Sequence, residues 1–174
     1  MVATEAQLPT PSRATSTILR AGLLAGVLDI TAAFLAYAHS GAQGIRLLQG
    51  IASGLIGPAA FQGRLGTAFL GLLCHFVIAT LWAAIYFAAS RRAAFLLEHA
   101  VFSGAIYGVI IYLVMNHVII PLSAIGPRPF SLSAAIVAAA ILVPCVGVPI
   151  ALTVRRFAPA AAVSALGTTA TSGA

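Results

Sequence analysis

The chain has no lysine and only three acidic residues, Glu5, Asp29 and Glu98. Charged residues make up 7% of its 174 positions, against about 25% in a soluble domain. So little charge cannot cover a water-facing surface, and the mean hydropathy of +1.07 says the same. The exposed surface is therefore expected to face lipid.

Cysteine is scarce as well. Cys74 and Cys145 both fall inside apolar runs, in no CxxC spacing. That excludes a disulfide framework and leaves two buried thiols acting as small hydrophobes. The sequence has no GxSxG, no HExxH and no glycine-rich phosphate loop in strand–helix context, so no enzyme activity is expected.

The formal charge of +6 comes from nine arginines. They stand singly or in pairs at the ends of apolar runs and not on one clustered basic face. This excludes a nucleic-acid site and matches anchoring at a membrane interface.

Four apolar runs, at about 18–39, 65–89, 99–122 and 132–154, each reach the roughly 20 residues that a helix needs to cross a bilayer. None alternates with the period of a barrel strand. The expected fold is all-α: a polytopic four-helix transmembrane bundle over 18–157. Residues 1–17 read as a flexible cytoplasmic tail and 158–174 as a disordered one.

With the N-terminus inside, Arg13, Arg20, Arg91, Arg92, Arg155 and Arg156 lie on the inner side and Arg46, Arg64 and Arg128 on the outer. Six against three puts both termini in the cytoplasm. Ala36-Tyr37-Ala38 has the form of a signal-peptide cleavage site. The length of the first run and the acid inside it argue against cleavage.

Between the first two runs, residues 43–57 predict a short interfacial helix ending at Pro58. Ile45, Leu48, Ile51 and Leu55 share one face, with Arg46, Gln49 and Ser53 on another. Gly50, Gly54 and Gly57 would let it sit close to the bundle. The first run carries Gly22 and Gly26, and the third carries Gly104 and Gly108. Small residues four apart are the pattern for close helix packing, and their similar placement hints at a two-helix repeat. Pro144 and Pro149 predict a kink in the fourth run. Tyr37, Trp82 and Tyr86 read as interfacial aromatics.

The candidate site starts at Asp29, in the middle of "AGVLDITAAFLAY". A charged carboxylate there costs about 2.5–3.5 kcal/mol unless it is protonated, paired or wetted. His75 in the next helix is its expected partner, with Asn116 and His117 towards the outer face. No cofactor is expected. Haem would need His75 and His117, and a Zn or Cu site would need His39, His75 and His117 to converge.

Three stretches, "QGIASGLIGPAAF" (49–61), "HFVIATLWAAIY" (75–86) and "YGVIIYLVMNHVIIPLSA" (107–124), resemble a family of small four-helix inner-membrane proteins of bacteria with no assigned activity. The resemblance spans about residues 18–157. It implies the fold and the bacterial cytoplasmic membrane, and brings no catalytic residues. The chain is also similar to small multidrug transporters in helix number and in its acid in helix 1, but it is longer and the acid is Asp where they use Glu.

Taken together, the sequence points first to a non-enzymatic structural or accessory subunit with a buried polar cluster. A proton-linked channel or transporter using Asp29 and His75 is the alternative, and a haem- or metal-binding redox protein the third. The expected partners are the lipid bilayer and either a second copy or another membrane protein.

Overall fold

The computed structural model describes residues 11–39 and 44–157. Six helices follow: α1 Pro11–His39, α2 Gly44–Ile56, α3 Arg64–Ser90, α4 Phe95–Glu98, α5 Ala100–Leu122 and α6 Leu132–Phe157. A 3-10 turn, Gly57–Gln62, joins α2 to α3. There is no strand among the described residues. Helices α1, α3, α5 and α6 are long and apolar enough to cross a membrane, close to the four predicted runs.

The first helix begins earlier than expected. Pro11 opens it, and residues 11–17, assigned to the tail, are helical. A proline in the first turn sacrifices no helical hydrogen bond. Thr17, buried, donates to the Arg13 carbonyl at 2.9 Å. Predicted tail residues 1–10 and 158–174 lie outside the described residues.

The long helices pack in the order α3, α1, α6, α5. Arg20 stands over the Phe157 ring, 4.8 Å from its centre, so the start of α1 and the end of α6 share one face. Arg91 and Arg92, at the end of α3, belong to that six-arginine face. Arg46, Arg64 and Arg128 belong to the opposite, three-arginine face.

Each glycine pair meets the following long helix. Gly22 lies against Thr80 and Gly26 against Phe76. Gly104 and Gly108 lie against the backbone of Gly147, Val148 and Val143. Such close backbone contacts gain dispersion energy across each helix pair.

Both α5 and α6 contain a π turn, at Met115–Ile119 and Val143–Gly147. Each stands just before a proline, Pro121 or Pro149. Proline has no N–H and its ring crowds the carbonyl four residues back. In both helices the residue before it reaches back five positions instead: the Ile120 N–H donates to the Met115 carbonyl and the Val148 N–H to the Val143 carbonyl. The disturbance expected in the fourth run is this turn. Its twin in α5 follows from Pro121, which the sequence reading passed over.

Two expectations are corrected. First, α2 seats closely but not through the glycines expected to allow it: Gln49, Ala52 and Ser53 are buried against the bundle while Leu55 is 65% exposed. The inward polar groups are satisfied, Gln49 Nε2 donating to the Arg64 carbonyl at 3.0 Å and Ser53 to the Gly50 carbonyl at 2.7 Å. The protein supplies the polar partners, and Leu55 is left facing outward. The close approach is made by Gly71 of α3, where a Cβ would run into the Leu48 carbonyl. Gly50 has open space around it, and Gly57 instead turns the chain with φ +64°. The helix crosses the three-arginine end, with Gly44 close to Phe34 of α1 and the Gly54 carbonyl accepting from the Ala124 N–H at 3.0 Å, just past the end of α5.

Second, Tyr86 is not an interfacial aromatic. It is fully buried, donating to the Leu96 carbonyl at 2.9 Å with the Ser103 hydroxyl 2.8 Å away. Tyr107 packs edge-on against it and against Trp82, and donates to the Trp82 carbonyl at 2.7 Å. The serine and tyrosine hydroxyls are satisfied by neighbouring helices, as buried polar groups require. Tyr107→Phe is expected to lower stability by about 0.6 kcal/mol, the typical size of such a bond in a membrane. Tyr86→Ala is expected to cost about 3–5 kcal/mol. Both would be read from unfolding in mixed micelles.

Candidate functional site

The stripe Asp29, Ala33, Ala36 and Tyr37 runs up one side of α1 at helical spacing. Tyr112, Asn116 and Ile120 make a similar stripe on α5, and Ala134, Ala135 and Ala138 one on α6. The alanines are too short to reach across, and the α6 segment Leu132–Leu142 buries no residue. What remains between α1, α5 and α6 is a cavity of about 520 Å³ towards the three-arginine face. Asp29 lies at its deep end on α1, while Arg128 and Phe130 line it from the α5–α6 connection.

Asp29 is half-buried, its side chain 21% exposed. His75 of α3 stands behind it, Nδ1 4.0 Å from Asp29 Oδ2. The other ring nitrogen, Nε2, is 2.9 Å from the Gly26 carbonyl of α1. A carbonyl only accepts, so Nε2 carries hydrogen whichever form the ring takes. Nδ1 is then the variable position. Either the carboxyl holds a proton facing a bare Nδ1, or a carboxylate faces Nδ1–H. Asp29 Oδ2 and His75 Nδ1 are the two positions of the pair that can carry a proton, 4.0 Å apart and without a direct hydrogen bond between them.

Asn116 and His117 line the same cavity, one side of it from the Asp29 stripe. Asn116 Nδ2 donates to the Tyr112 carbonyl at 3.0 Å, and His117 Nδ1 to the Leu113 carbonyl at 3.1 Å. Those bonds fix both side chains to their own helix and turn the Asn116 oxygen and His117 Nε2 into the available acceptors. The π turn shifts their register relative to a regular helix.

The predicted quartet thus divides. Asp29 and His75 form a pair, and Asn116 and His117 share the cavity with Asp29. His39 ends α1, and its side chain lies outside the described residues. Among the described residues no three His, Cys, Asp or Glu side chains gather as a metal-ligating group. Cys74 and Cys145 are free thiols, both half-buried.

Sequence reasoning missed Tyr112, the cavity side of Tyr37, and Arg128, which it counted only as an anchor. Tyr112 stands four residues before Asn116, a spacing that puts both on one helix face. That signal was legible. The place of Arg128 in the cavity lining was not, because it depends on the path of the α5–α6 connection.

Comparison with protein-family models, with curated proteins and with solved structures gives no match.

Proposed function

We propose that the chain is a multi-pass protein of the bacterial cytoplasmic membrane, with both ends on the cytoplasmic side, and that it carries out proton-linked transport or conduction through Asp29 and His75. The observation behind this reading is the cavity reaching from the three-arginine face to Asp29, with His75 at its back. An ionisable group inside a membrane span is expensive and is a functional site by default. Here it also lines an open cavity and has a histidine nitrogen 4.0 Å away.

Protons entering from that face would reach Asp29 past Tyr112, Asn116 and His117. The Asp29–His75 pair would hold the proton at mid-depth. Passage to the six-arginine face then requires a rearrangement, and the π turns of α5 and α6 are the segments with the least regular backbone bonding available to make it.

The test is proton flux in proteoliposomes after an acid pulse. Wild-type protein is expected to dissipate the gradient faster than protein-free vesicles. Ala138→Trp is expected to slow it by about ten-fold or more, because an indole fills much of the space a small solute would use. Flux indistinguishable from empty vesicles would remove the reading.

One observation favours a second reading, an accessory subunit without transport. The His75–Gly26 bond ties α3 to α1 on its own, and a buried Asp beside it could serve only to fasten the two helices. That reading expects no flux from any variant and loss of assembly when His75 is replaced by a residue that cannot donate to the Gly26 carbonyl, such as His75→Leu.

A further inference from the structure

Away from the Asp29 cavity, a cleft of about 690 Å³ opens between α2 and the first turn of α3. Ile45, Arg46 and Gln49 line it from α2, and Phe61, Arg64 and Leu65 from the other side. We infer that this cleft binds the headgroup phosphate of an anionic phospholipid, with its acyl chains along Ile45, Phe61 and Leu65.

The cleft carries two positive charges, and no ion pair to either is found among the described residues. Among the described residues the acids are Asp29 and Glu98. Asp29 is engaged with His75 in the bundle, and Glu98 belongs to α4 near the six-arginine face. Arg46 and Arg64 are both exposed, so their guanidiniums face whatever surrounds this end of the bundle. Two such groups beside one cleft match the oxygens of a phosphate, which guanidinium forks bind in pairs.

The back wall is built and not incidental. Gln49, 5% exposed, donates to the Arg64 carbonyl at 3.0 Å and approaches Thr67 Oγ1 at 3.4 Å. These bonds hold α2 against α3 and keep the two arginines on either side of the opening. The flank decides between a lipid and a free anion. Leu65 is 72% exposed, Phe69 one turn below it 68%, and Phe61 and Ile45 are close to half exposed. A soluble anion has no use for that apolar slope, whereas a phospholipid places phosphate and chains in this order along the bilayer normal.

The inference rests on the bundle lying in a bilayer and not on proton flux, so each can fail without the other. The full chain, purified in detergent, would be examined by native mass spectrometry with added phosphatidylglycerol or phosphatidylcholine. Wild type is expected to retain phosphatidylglycerol in clear preference. Arg46→Gln and Arg64→Gln should each weaken that retention by about five-fold, as loss of one interfacial cation predicts, and the double variant should lose it. Arg92→Gln, on the opposite face, should retain lipid as wild type does. Arg46→Lys and Arg64→Lys keep the charge without the fork and should fall between; they also carry the test should a Gln variant misfold. Equal losses in Arg92→Gln, equal retention of the two lipids, or displacement of the lipid by millimolar inorganic phosphate would overturn the proposal.

Discussion

Asp29→Asn is expected to reduce proton flux through reconstituted protein by on the order of 10²-fold, the lower end of what a positioned proton-transfer group contributes. The substitution is nearly isosteric, so the cavity keeps its shape and α1 keeps its packing on α3. What disappears is the carboxyl proton. With an amide at position 29, His75 Nδ1 faces a group that cannot exchange protons, and the route from the cavity ends there.

His75→Gln separates this from a fastening role. A glutamine amide can still donate to the Gly26 carbonyl, which the imidazole reaches at 2.9 Å, but it cannot take up a proton. Under the transport reading this variant assembles and does not conduct. Under the fastening reading it assembles and nothing about conduction changes, because there was none. Flux persisting at wild-type rate in Asp29→Asn, in protein that elutes as wild type does, would end the proton-linked proposal.

The second large effect is structural. Gly147→Val is expected to prevent assembly of α5 with α6, and Gly147→Ala to cost about 3 kcal/mol, the upper range for overpacking a tight contact. A Cβ on Gly147 would stand 2.6 Å from the Gly108 nitrogen and 2.8 Å from its Cα. Those are backbone atoms, and no side-chain rotation relieves them. The contact is also where the α6 π turn seats its backbone between Gly104 and Gly108, so displacement there shifts the cavity wall above it.

Gly50→Ala makes the contrast. It is also a glycine inside a helix, but a Cβ there meets nothing within 4 Å. Removing a helix-interior glycine stabilises by roughly 0.5–1 kcal/mol when nothing clashes. Unfolding in mixed micelles should therefore move in opposite directions for the two substitutions. If Gly147→Ala unfolds as wild type does, the close α5–α6 seat is not what holds that half of the bundle.

The amino-acid order alone determined the four long apolar helices, the extra helix between the first two, and the separation of six arginines from three. These are properties of local composition: run length, helical period and the cost of charge in lipid act on neighbouring residues and need no knowledge of the fold. Asp29 and His75 were legible for the same reason, since an ionisable residue in such a run stands out wherever the helix packs.

Tertiary structure decided the rest. Which side of α2 faces inward is decided by its partners on α3, where the Arg64 carbonyl and Thr67 receive Gln49, and nothing in the α2 segment itself names them. Tyr86 is buried because α4 and α5 supply Leu96 and Ser103 as partners, and its own sequence neighbourhood reads equally well as a membrane edge. The cavity exists because the alanines of α1 and α6 are too short to reach the larger side chains of α5, and a gap between helices is a property of their arrangement and of no single segment.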